Sequence, residues 1–64
     1  MPSPPTFNMA YLKEIIPDAS LHEVMVISAT TNEEKVLYST FEYTKVLVLI
    51  TKRLIELSRT NLLY

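Results

Sequence analysis

The chain has no glycine, no cysteine and no tryptophan, and a single histidine among its 64 residues. Each absence closes off a class of chemistry. Without cysteine there is neither a disulfide nor a thiolate metal site. One histidine, His22, cannot build a histidine-based zinc site within one chain. Without glycine there is no phosphate-cradling Gly loop, and turns fall to Pro, Asn, Asp and Ser. Long hydrophobic runs are missing too. The longest pure one is Val46 to Ile50, far short of the roughly 20 apolar residues of a membrane span. The opening MPSPP has no basic and no apolar region and does not read as a signal peptide. Charge of one sign is also lacking. A net charge of −1 argues against nucleic-acid binding driven by bulk charge. These features lead us to expect an intracellular protein, cytoplasmic or nuclear, with no cofactor and no metal.

What is present is apolar surface. Hydrophobic residues make up 48% of a chain long enough for one domain at most. A domain this small buries only about 60% of its unfolded surface, so oligomerisation or docking is the remaining aid to stability. Most of the apolar pattern sits in one stretch, Thr40 to Leu63, which the spacing predicts to be an amphipathic helix. At about 100° per residue, Val46, Leu57, Ile50, Tyr43, Leu54, Leu47, Leu62, Ile55 and Val48 share one arc. Only the small Ser58, Thr51 and Thr44 interrupt it. Glu42, Lys45, Lys52, Arg53, Glu56, Arg59 and Thr60 take the other face, with Phe41, Leu49 and Leu63 as apolar exceptions. The arc spans roughly 200°, against about 100° for an ordinary surface helix. Such a helix is expected to be covered by its own domain on one flank and by a partner on the other. Ser39 and Glu42 form a capping box at its start, and Asn61 can close it in place of glycine.

The rest of the chain reads as residues 1–7, a flexible Pro-rich tail, leading into a single small domain, 8–64. A polyproline ligand is the sharper alternative for the tail. Asn8 to Ile16 reads as a short helix, with Asn8 as N-cap and Pro17 and Asp18 as its stop. Leu21 to Thr30 gives conflicting signals. Ser20 and Glu23 match a capping box, but Val24, Val26 and Ile27 are β-branched and favour a strand. The strand reading, with a turn at Thr31 to Lys35 and a second strand over Lys35 to Ser39, gives a hairpin. The expected fold is therefore α+β: a short N-terminal helix, a β-hairpin and one long C-terminal helix. The alternative is all-α, with Thr31 and Glu34 as another capping box.

No catalytic constellation emerges. His22 next to Glu23 on a strand would point to the opposite face, and the adjacent acids Glu33 and Glu34 read as a solvated turn. A non-enzymatic role follows, carried by contact with a larger protein subunit or with the chain's own copy. Leu47, Ile50, Leu54 and Leu57 follow an a/d spacing that would suit a homodimer. Lys45, Lys52, Arg53 and Arg59 leave the polar face mildly basic, fit for an acidic protein patch. Anionic lipid under a flat-lying helix is the least favoured partner.

Within the long helix, Tyr43-Thr44-Lys45-Val46-Leu47-Val48 followed by Lys52-Arg53 resembles the helix of the omega subunit of bacterial RNA polymerase. Ser39-Thr40-Phe41-Glu42-Tyr43-Thr44-Lys45-Val46 is similar to the matching helix of its eukaryotic, archaeal and viral counterparts. The resemblance implies a non-catalytic subunit that latches the largest polymerase subunit and helps it assemble. Phe41, Glu42, Lys45, Lys52 and Arg53 would be the positions carried over to that contact. Together with Leu47, Ile50, Leu54 and Leu57 they make up the expected partner-binding set.

Overall fold

The computed structural model describes residues 3–61, with Thr60 and Asn61 described as backbone only. The expected Asn61 terminator and the apolar roles of Leu62 and Leu63 lie outside the described side chains. Three helices follow one another: α1 (Met9–Ile15), α2 (Leu21–Glu33) and α3 (Thr40–Asn61). One-turn 3₁₀ helices at Ile16–Asp18 and Lys35–Leu37 join them. The body measures 48 × 19 × 17 Å.

Each helix starts where a side chain satisfies its free amides. Asn8 Oδ1 accepts from the Tyr11 amide at 2.8 Å and opens α1. The Ser20 hydroxyl accepts from the Glu23 amide while the Glu23 carboxylate accepts from the Ser20 amide, a reciprocal box that opens α2. The bond from the Ser20 amide, helped by the nearby Ser20 hydroxyl, holds the Glu23 carboxyl below its ordinary pKa. Ser39 and Glu42 repeat the box at the start of α3, with distances of 3.0 and 3.1 Å.

The described residues contain no strand, and the expected hairpin is replaced by α2 and a 3₁₀ turn. The cause lies in two places. In Leu21 to Thr30 the capping box prevails over the β-branched run, because Val24, Ile27 and Thr31 at i, i+3 and i+7 supply a buried helical stripe. The helical period is hidden in the sequence because Leu21, Met25 and Val26 are apolar but exposed. Thr31 is buried inside α2 and so caps nothing; its hydroxyl donates to the Ser28 carbonyl at 3.2 Å. In Lys35 to Ser39 a 3₁₀ turn takes the place of the expected second strand and turns Val36 to solvent and Tyr38 inward. Asn32 is helical, and no described residue has a positive φ.

The core gathers Leu12, Ile16, Ala19, Val24, Ile27, Tyr38, Val46 and Ile50 from every element except the second 3₁₀ turn, with Tyr38 just after it. Tyr38 also fastens the N-terminal segment. Its hydroxyl donates to the Phe7 carbonyl at 2.6 Å, and Phe7 stacks on Tyr11 with ring centres 5.5 Å apart. One residue earlier, the Thr6 amide and hydroxyl both donate to the Glu34 carboxylate, at 2.8 and 2.7 Å. The end of the expected tail is thus tied to the domain. These bonds, the amide's first, hold the Glu34 carboxyl below its ordinary pKa.

Burial raises the Tyr38 pKa above its ordinary value of 10.0, with smaller pushes from the Glu34 and Glu42 charges. A raised folded pKa contributes stability that is complete below the unfolded value and is lost as pH climbs through the folded one. Tyr38→Phe is expected to cost about 0.5–1.5 kcal/mol at neutral pH through the lost hydrogen bond. Above pH 10 the gap between wild type and variant should shrink. Urea unfolding across that range measures it, and a constant gap would exclude this role for the hydroxyl.

Candidate functional site

The candidate surface is built on α3. Its core-facing stripe is Tyr43, Val46, Leu49, Ile50, Arg53 and Leu57, all buried or half-buried. The opposite side is open. Phe41 is 77% exposed, Val48 50%, Ile55 48%, Leu47 45% and Leu54 40%. The over-wide apolar arc therefore divides lengthwise. About one third of the helix circumference packs inward, and the remaining apolar residues stand in solvent.

Among the shallow depressions along α3 are two that border this open side. One runs between α2 and α3, where Leu47 and Leu54 meet Met25, Ser28 and Ala29. At its end the Tyr43 hydroxyl donates to Asn32 Oδ1 at 3.2 Å and spans the two helices. The other lies along the outer flank of α3, between Phe41, Thr44, Lys45, Val48 and Lys52. The Thr44 hydroxyl donates back to the Thr40 carbonyl at 2.8 Å.

The nine sequence-predicted partner residues separate into three groups. Phe41, Lys45, Leu47, Lys52 and Leu54 are exposed on the open side of α3. Ile50 is buried in the core and Leu57 packs against it, so the a/d row of Leu47, Ile50, Leu54 and Leu57 straddles the boundary between inside and outside. Glu42 and Arg53 are engaged within the chain. Glu42 completes the cap of α3. Arg53 donates from Nε to the Ala19 carbonyl at 2.8 Å and lies 3.5 Å from the Glu56 carboxylate. Its head group thereby fastens α3 to the joint between α1 and α2. Val48, Thr51 and Ile55 belong to the exposed face but are not among those nine. The available signal is the heptad spacing that puts Val48 and Ile55 seven and fourteen residues after Phe41, and Thr51 seven before Ser58.

His22 lies exposed beside Phe7, Tyr11 and Val26, and Glu23 is occupied by its cap, so the pair forms no relay. Among the described residues no three His, Asp or Glu side chains converge as a metal site would require. No described helix is long and apolar enough to cross a membrane. No protein family, no curated protein and no solved structure matches this chain.

Proposed function

We propose that the chain is a small non-catalytic subunit or adaptor that docks on a larger protein through the open side of α3. The observation that carries this reading is the exposure of Phe41, Leu47, Val48, Leu54 and Ile55 along one helix. Fully burying a side chain of this size is worth about 1.5–3 kcal/mol, so covering the exposed part of these five favours association. The sharpest form of the reading is an omega-like polymerase assembly subunit, drawn from the likeness at residues 39–53. Of the positions that likeness carries, Phe41, Lys45 and Lys52 are on the open side, while Glu42 and Arg53 serve the chain's own fold.

Photo-crosslinking in the native cell tests it. A benzophenone amino acid is placed at Val48, with Glu14 on the exposed side of α1 as control. Crosslinks from position 48, and not from position 14, to one larger protein are expected. If that protein is the largest polymerase subunit, the sharp form stands. Crosslinks only between copies of this chain, or none, would overturn the docking reading.

A further inference from the structure

The open side of α3 repeats every seven residues. Phe41, Val48 and Ile55 form one row, and Thr44, Thr51 and Ser58 form the next. Lys45, Lys52 and Arg59 form a third row beside Phe41, Val48 and Ile55, and all nine residues are exposed. At about 100° per residue the first two rows lie back to back with Val46 and Ile50, which face the core. In coiled-coil terms they are the a and d rows of a seam, and the cations fill every e position. Leu47 and Leu54 occupy g.

We propose that this seam seats one helix of the partner, an acidic amphipathic helix. It would set Asp or Glu against Lys45, Lys52 and Arg59 and bulky apolar side chains over Thr44, Thr51 and Ser58. The proposal deepens the docking reading above and rests on it. Charge selects the occupant. The chain as a whole is −1, yet this edge carries a cation at each of three successive heptads. An acidic helix gains at every one, and the small d row leaves holes for large knobs.

A second copy of the chain fits less well in either direction. Antiparallel, the e rows of the two copies face each other and cation meets cation. Parallel, Thr44, Thr51 and Ser58 stack on their own counterparts, and the cations lie beside Leu47 and Leu54 with no counter-charge. A lipid surface asks for an unbroken apolar face, whereas here the row of Phe41, Val48 and Ile55 is separated from Leu47 and Leu54 by a polar row of threonine and serine.

The test uses a three-heptad peptide with Leu at its a and d positions and Glu at e and g. Its twin carries Lys at e and g. Anisotropy titrations with the whole protein are expected to show the Glu peptide binding at least roughly tenfold more tightly than the Lys twin, and more weakly as salt rises. The triple variant Lys45→Glu, Lys52→Glu, Arg59→Glu, checked for helicity by circular dichroism, should reverse the preference. Equal affinity for the twins, binding of neither, binding to phosphatidylserine-rich vesicles without peptide preference, or a homodimer that the Glu peptide fails to dissociate would each overturn the proposal. Crosslinking from position 48 to a larger protein, combined with any of these, would remove the acidic helix and leave the docking reading standing. Absence of that crosslink would remove both.

Discussion

Leu12→Ala is expected to remove about half of the chain's folding stability. Leu12 is 0% exposed and sits one turn before Ile16, also 0% exposed, where α1 meets Val46 and the rest of the core. Truncating a buried leucine costs about 2–5 kcal/mol, since the lost transfer energy is joined by the cavity left behind. A domain of 64 residues has a total stability of only about 3–10 kcal/mol. No disulfide is present to hold the described residues together when packing weakens. Far-UV circular dichroism during a urea titration provides the measurement. The variant should show a much lower midpoint. A loss below about 1 kcal/mol would mean that α1 is peripheral to the fold.

The second large effect falls on association and spares folding. On the docking reading, Val48→Asp with Ile55→Asp should abolish the native complex while leaving the urea midpoint almost unchanged. Both residues are about half exposed and belong to neither the core cluster nor a hydrogen-bond network. Surface substitutions of this kind shift stability by about 0.5 kcal/mol or less each. In a complex the same two side chains are buried. Their loss, with two carboxylates brought against an apolar seat, removes about 3 kcal/mol or more, roughly a hundredfold in affinity. Gel filtration of the native complex reads the association and the urea titration reads the fold. If both fall together, these residues serve the chain's own packing and the proposed site is wrong.

Much of the architecture could be read from residue types at helix starts. Asn8, Ser20 with Glu23, and Ser39 with Glu42 all act as the capping rules suggest, because a cap is decided within four residues. α2 is not legible as a helix because only Val24, Ile27 and Thr31 of it are buried while Leu21, Met25 and Val26 face water. A helix apolar on both sides has no visible period. On α3 the width of the apolar arc could be read, but the line dividing inside from outside could not. That line depends on where α1 and α2 lie, and it places Ile50 inside and Leu54 outside although they are one turn apart. Arg53 shows the same limit. Its guanidinium looks like part of a basic face until the Ala19 carbonyl, distant in sequence, is found 2.8 Å from Nε.

No described residue departs from negative φ, and neither joint between helices uses glycine. The main chain therefore forbids almost no substitution on its own account. Turns in most proteins pin particular residues by demanding a missing β-carbon. Here the 3₁₀ joints accept any side chain that avoids proline at the wrong step. Constraint on this protein's divergence then falls on volume and polarity at the few interior places and on whatever its outer ridge must recognise. The two could drift at separate rates along one and the same rod.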